Sequence, residues 1–191
     1  MTTVSIIGTG NMGKAIAALA VKGGHSVQAL TRADSTTPVS GDIVVLALPF
    51  ASLDSVVAER GESLAGRIVV DITNPVNFET FDSLTVPADS SATATLAAAL
   101  PNSHVLKAFN TNFAGTLAEG KIGESVTTVL IAGDNADAKS TLEDVVGSAG
   151  LVAVDAGSLS RARELESVGF LQMTLAAGEK ISWSGGFALT S

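Results

Sequence analysis

Three features of this chain predict an α/β fold with a mostly parallel sheet and helices on both faces. Short β-branched runs alternate with segments of helical pattern, which is the order of βαβ units. Several runs, residues 43–48 among them, are apolar without a break, as strands are when helices cover both sides of their sheet. A glycine-rich turn stands between the first run and the first helical segment.

The elements follow in order. Residues 4–7 form the first strand, and residues 11–22 a helix that stops at Gly23-Gly24, where left-handed backbone costs least. Strands are expected at residues 26–30, 43–48, 68–71, 105–109, 126–132 and 151–154. Helices are expected at 52–60 and, rich in alanine, at 91–100. Asp134 or Asn135 caps a helix to Ala149, and Ser158 or Ser160 caps a last helix to Ala177. No repeat, low-complexity tract or linker divides the chain, so residues 1–191 read as one domain. A chain of this length buries roughly 70% of its unfolded surface.

One connection is too short for the standard pattern. A full doubly wound half places a helix, a strand and another helix after strand two. Here only residues 31–42 separate strands two and three. Twelve extended residues reach about 40 Å. That suffices to run back along a strand of roughly 17–20 Å and across two spacings of about 4.8 Å. The usual outer strand is therefore expected to be missing, with strand two at the sheet edge. Asp34, Pro38 and Gly41 suit an irregular crossing.

Composition excludes several functions. The chain has no cysteine, so no disulfide, thiolate ligand or cysteine nucleophile. His25 and His104 fit no metal-ligand spacing, and no metal is expected. A formal charge of −8 lacks the basic footprint that nucleic-acid binding needs. Mean hydropathy is +0.41, yet no run of about 18 apolar residues is present to span a membrane. A strand-like run starts within a few residues of Met1, leaving no room for a signal peptide, so the cytoplasm is the expected location.

The glycine turn reads Gly8-Thr9-Gly10-Asn11-Met12-Gly13, a G-x-G-x-x-G between strand and helix. Gly8 permits the tight turn, Gly10 lets backbone approach a pyrophosphate, and Gly13 lets the helix pack on the strand. The helix N-terminus offers free N–H groups to phosphate. The fold expected is therefore Rossmann-type. The end of strand two selects the dinucleotide. An NAD site places an acid about 20 residues after the loop, but the chain reads Gln28-Ala29-Leu30-Thr31-Arg32 there. Thr31 can donate to a 2′-phosphate and Arg32 can grip it as a fork, which points to NADP(H). Asp34 is the rival, since turned inward it would hold a ribose 2′-hydroxyl.

Ligands of open α/β sheets lie outside the carboxyl ends of the strands. Here those ends carry Leu48-Pro49-Phe50, Asp71-Ile72-Thr73-Asn74-Pro75 and Phe109-Asn110-Thr111-Asn112-Phe113. Pro75 drives Asn74 toward extended geometry. Asn74 and Asn110 suit the carboxamide or ribose of the nicotinamide half, with Pro49 and Phe109 as walls. The competing reading is that the asparagines only satisfy turns. Lys107 is a candidate for an anionic substrate, although a strand lysine more often marks an edge. No Ser-His-Asp set, Lys-Tyr pair or close carboxylate pair is visible, and no catalytic residue is assigned. Hydride transfer to a flavin-like ring needs mainly positioning and stacking, whereas carbonyl reduction needs a proton donor.

These residues resemble the deazaflavin (coenzyme F-420)-dependent NADP oxidoreductases. The resemblance rests on the phosphate loop, Thr31-Arg32, Leu48-Pro49, Lys107-Ala108-Phe109-Asn110-Thr111 and Asp155-Ala156-Gly157-Ser158-Leu159. They are also similar to the NADPH domain of six-transmembrane ferric reductases. The resemblance implies NADPH held by Gly8 to Gly13 and by Thr31 and Arg32. It places the nicotinamide near Leu48, Pro49, Asn74, Pro75 and Asn110, with a flavin or deazaflavin stacked on it. It also implies a dimer. The archaeal enzymes carry histidine where this chain has Asn110, and their segment between strands two and three is longer.

The last helix is apolar nearly all round between Val168 and Ala177, which marks a buried helix. A second subunit is the expected cover, with simple docking on its own sheet as the other reading. Residues 155–191 then form a C-terminal helix and tail at the dimer or substrate cleft, with Trp183-Ser184-Gly185-Gly186-Phe187 as a tail packing over the cleft. The function expected is an NADPH-dependent oxidoreductase passing hydride to a small acceptor such as a deazaflavin or flavin. The alternatives are a non-catalytic NADP(H) sensor and a reductase of a small imine or carbonyl.

Overall fold

The computed structural model describes residues 1–190. One sheet contains β1 (Thr3–Ile7), β2 (Ser26–Leu30), β3 (Ile43–Leu46), β4 (Ile68–Asp71) and β5 (His104–Lys107). A small hairpin, β6 (Lys121–Ile122) with β7 (Ser125–Val126), stands apart, and β8 (Thr128–Gly133) and β9 (Val152–Gly157) complete the main sheet. The strand order is β2-β1-β3-β4-β5-β8-β9. Every pair is parallel except β5 with β8, so the fold is a Rossmann-type α/β sheet.

The outer strand beyond β2 is absent, and β2 forms the edge. Residues 31–42 cross over β1 and are pinned along the way. Gln28 accepts from Ser5 Oγ at 2.6 Å and from the Ser40 N–H at 2.9 Å, and donates to the Pro38 carbonyl. Arg60 and Arg67 point guanidinium donors at the carbonyls of Asp34, Thr37, Val39 and Gly41. Apart from a single 3-10 turn at Arg32–Asp34 the crossing has no helix or strand, and it satisfies its backbone polar groups by such contacts.

Helices α1 (Asn11–Lys22), α4 (Ala114–Glu119) and α5 (Ala136–Ser148) cover one face, where Ile16, Leu19, Leu117 and Leu142 pack on Ile6, Val45 and Val70. Helices α2 (Leu53–Arg60) and α3 (Ala92–Ala99) cover the other, where Leu53, Val56 and Leu96 meet Val44, Leu46 and Val69. Helix α6 (Ala162–Ala177) follows β9 and packs on α3.

Several boundaries differ from the sequence expectation. Strand three stops at Leu46, two residues early, and a tight turn at Phe50–Ser52 leads into α2. Strand five stops at Lys107, because Phe109 adopts φ 61° and turns the chain. The run at 126–132 is divided between the hairpin and β8. Asn135 caps α5, accepting from the Ala138 N–H at 2.8 Å, while Asp134 accepts from Leu159 instead. Neither Ser158 nor Ser160 caps α6; their hydroxyls bond each other at 2.8 Å ahead of the turn Leu159–Arg161. Among the described residues no helix is long and apolar enough to cross a membrane.

Candidate functional site

The phosphate loop is shaped by contacts that exclude side chains. Gly8 has φ 110°, and a Cβ there would strike the Ala47 carbonyl. A Cβ on Gly13 would strike the Gly8 carbonyl, so α1 could not approach β1. Gly10 differs, since a Cβ there would meet nothing within 4 Å. It is the N-cap of α1, and no side chain caps the helix. Free N–H groups at a helix start, beside open space over a glycine, are what a pyrophosphate requires. Gly10→Ala should therefore leave the melting temperature near that of the parent while weakening NADPH and NADH alike by about tenfold, or about 1.4 kcal/mol. Calorimetric titration with both dinucleotides checks this.

From the loop a cleft of about 880 Å³ runs across the carboxyl ends of the strands. It falls in the usual range for small-molecule sites. Of the residues expected from the sequence, Gly10, Asn11, Met12, Leu48, Pro49, Asn74 and Asn110 line it. Gly8, Thr9 and Gly13 belong to the loop beneath. Pro75 is buried behind the cleft wall, its carbonyl accepting from the Thr85 N–H at 2.7 Å.

Asn74 and Asn110 are brought together. Asn110 Nδ2 donates to Asn74 Oδ1 at 2.9 Å and to the Leu165 carbonyl of α6 at 2.8 Å. Asn74 Nδ2 donates to the Asn110 carbonyl at 2.8 Å. A Cβ on Gly169 would collide with this pair, so glycine lets α6 lie directly on it. Part of the asparagines' chemistry is thus structural. Even so, Asn110 Oδ1, Asn112 Oδ1 and Thr73 Oγ1 are buried without a hydrogen-bond partner, and all three residues line the cleft. Unsatisfied buried oxygens are costly and call for a donor. These oxygens are closed to the cleft itself, so what fits a dinucleotide here is the set of free N–H groups at the start of α1, opening into a cleft walled by Asn74 and Asn110.

At the end of β2 the structure divides the expected NADP residues. Thr31 N–H and Oγ1–H both donate to Asp34 Oδ2, at 2.8 and 2.6 Å. These bonds, the side-chain one first, hold the Asp34 carboxyl below the usual carboxylate range. The Thr31 hydroxyl proton is therefore committed to Asp34, and the Asp34 carboxylate to its own turn. Arg32 is exposed, and among the described residues no salt bridge engages it.

Lys107 is neither an edge residue nor a ligand for a free anion. It is fully buried in a strand flanked by β4 and β8. Its Nζ lies 2.9 Å from Asp71 and 3.0 Å from Glu166, and donates to the Thr73 carbonyl at 2.6 Å. Thr93 Oγ1 reaches both carboxylates. A close carboxylate pair therefore does exist. Its members are 95 residues apart in sequence, which is why spacing did not reveal it. Phe78, Phe113, Met173 and Trp183 also line the cleft. Of these, the sequence signalled Phe113, in the segment that closes strand five, and Trp183, as part of the tail.

Known proteins resemble the chain in the same terms. Residues 28–75 match the family model described as NADP oxidoreductase, coenzyme F420-dependent. The chain is 30% identical over 180 residues to metalloreductase STEAP3 of Rattus norvegicus, covering 86% of this chain and 36% of that protein. It is also 30% identical over 132 residues to the F420-dependent NADP reductase of Methanocaldococcus jannaschii, covering 67% and 59%. The chain thus spans about a third and somewhat over half of these relatives' lengths. A crystal structure from Arthrobacter sp. FB24, described as a candidate F420-dependent NADP reductase, superposes with a TM-score of 0.86 over the full length of both chains at 23% identity. By these matches the chain has the fold of the coenzyme F420-dependent NADP oxidoreductases and resembles them in sequence.

Proposed function

We propose that this protein is an NADPH-dependent oxidoreductase that passes hydride to a small ring acceptor of the flavin or deazaflavin kind, held in the cleft beyond the phosphate loop. The observation that carries this reading is the continuity of the loop with the cleft. The space above Gly10 opens into a cleft walled by Thr73, Asn74, Asn110 and Asn112. The loop would hold the pyrophosphate, Arg32 the 2′-phosphate, and the asparagine wall the nicotinamide. Bound NADPH supplies the hydride. The chain's own residues orient two rings and exclude water, which are the contributions hydride transfer needs most.

Among the described residues no titratable side chain lines the cleft. That favours acceptors whose second proton comes from water, and it also motivates a second reading, a non-catalytic NADP(H) sensor. Anaerobic NADPH oxidation with flavins, deazaflavin, quinones and small imines separates them. Turnover with a ring acceptor is expected, and tight NADPH binding without turnover on any of them overturns the enzyme reading.

The protein is further proposed to be a homodimer. Val168, Leu171, Phe187 and Leu189 are four of the ten large hydrophobics exposed among the described residues, and all lie on α6 or the tail. Such clustering marks an interaction surface. Elution as a dimer at micromolar concentration is expected, and a monomer there contradicts it.

A further inference from the structure

We infer that the acceptor half of the cleft selects an uncharged, planar conjugated ring, and that Trp183, seated on Phe113, is the residue that sets this specificity. The inference deepens the oxidoreductase reading and rests on it.

Aromatic residues are scarce in this chain, seven phenylalanines and one tryptophan. Five of the eight, Phe50, Phe78, Phe109, Phe113 and Trp183, line this one cleft. Phe113 and Trp183 pack with ring centroids 4.9 Å apart at 55°, within the range where aromatic pairs attract. Met12 and Met173 add polarisable sulfur to the lining. Such a lining offers faces to a flat ring.

Beyond the phosphate loop the same cleft offers no charged partner to an anion. None of its described lining residues is charged. Most of the chain's cations are committed elsewhere. Lys107 and Lys139 are held by Asp71, Glu166 and Asp155, and Arg161 and Arg163 by Glu164. Arg60 and Arg67 are held by backbone carbonyls. An anionic substituent seated beyond the phosphate loop would lose hydration without gaining a charged partner. The formal charge of −8 adds to its exclusion.

The tail is fixed where it needs to be. The Trp183 carbonyl and Ser184 Cβ lie 3.0 Å from where a Cβ of Gly115 would be, so a glycine in the first turn of α4 lets the tail cross it. Farther on, the Phe187 N–H donates to the buried Gln172 of α6 at 3.4 Å. Trp183, at the first of these anchors, stays 54% exposed with its ring against Phe113. It therefore offers the cleft an aromatic face backed by Phe113.

With a quinone as acceptor the chemistry balances. The C–H bond of dihydronicotinamide breaks with its electron pair, an O–H bond forms on the quinone, and water supplies the second proton. The products are hydroquinone and NADP⁺. With an isoalloxazine the hydride goes to a ring nitrogen.

Matched pairs test the inference: lumiflavin against FMN, and naphthoquinone against its sulfonate. Binding in the presence of NADP⁺ is read by quenching of Trp183, the single tryptophan, and turnover by NADPH oxidation. Each uncharged member should bind at least about tenfold more tightly than its anionic partner, with kcat/KM following. Trp183→Ala should weaken lumiflavin by about tenfold, read from flavin fluorescence, while NADPH affinity, assigned to the phosphate loop and Arg32, holds. Phe78→Lys, at a position 66% exposed at the cleft, should draw FMN toward the affinity of lumiflavin. Anionic members that bind as well as or better than uncharged ones overturn the inference, as does a Trp183→Ala variant with undiminished lumiflavin binding. No NADPH oxidation with any acceptor sinks the oxidoreductase reading instead, and the binding comparison still decides the charge preference.

Discussion

Lys107→Met is expected to destabilise the protein by about 3–5 kcal/mol, the usual loss when one partner leaves a buried ion cluster. For a chain of this size that lowers the melting temperature by roughly 6–20 °C. The substitution removes one cation from between two buried carboxylates. Asp71 keeps the Thr73 N–H and Thr93 Oγ1 as donors, both at 2.8 Å. Glu166 keeps the N–H groups of Ala92 and Thr93, at the start of α3, where a carboxylate also meets the positive end of the helix dipole. Those donors satisfy hydrogen bonds but do not neutralise two charges. Because the cluster ties β4, β5, α3 and α6 together, the loss should reach the cleft through Thr73, whose carbonyl accepts from Lys107. The triple variant Lys107→Met, Asp71→Asn, Glu166→Gln should recover part of the loss, since neutral groups of like shape need no counter-charge. Thermal unfolding of both variants checks this, and a single variant within 1 kcal/mol of the parent would falsify the role given to the cluster.

That cluster also marks where sequence reasoning ends. The features legible in the chain were local ones. A strand, a glycine turn and a helix follow one another within residues 3–22, so period and punctuation revealed them. The missing outer strand was legible too, because chain length bounds reach. The edge position of β2 and the crossing pinned by Gln28, Arg60 and Arg67 agree with that arithmetic. What stayed hidden needed the third dimension. Lys107 read as an edge lysine because nothing nearby in sequence could neutralise it, and its partners come from β4 and α6. The antiparallel insertion of β8 was hidden for a similar reason, since a six-residue apolar strand has no intrinsic direction. The strand-end asparagines were located by their neighbours Pro75 and Phe109. Their bonding to α6 depends on Gly169, whose meaning appears only once the helix lies on them.

Arg32→Ala is expected to cut NADPH affinity by about ten- to a hundredfold, the equivalent of the 1.5–3 kcal/mol of a hydrogen bond to a charged group. NADH, which lacks the 2′-phosphate, should bind the variant as it binds the parent. Arg32 carries this expectation alone because the structure commits Thr31 to Asp34. Arg32→Lys should fall between, retaining charge but not the fork. Raising the salt concentration should narrow the gap, since an exposed ion pair is screened over about 10 Å at 0.1 M. Asp34→Ala supplies the opposing test. If Asp34 held a ribose 2′-hydroxyl, its removal would weaken NADH. Since its carboxylate is held by the Thr31 N–H and hydroxyl, removing it instead frees that hydroxyl and deletes a negative charge beside the expected phosphate. NADPH should then bind as well or better, and NADH should not weaken. Titration of both dinucleotides against the three variants measures the whole pattern. Equal losses of NADPH and NADH in Arg32→Ala would sink the assignment of NADP to this edge of the sheet, whatever Gly10 does for the pyrophosphate.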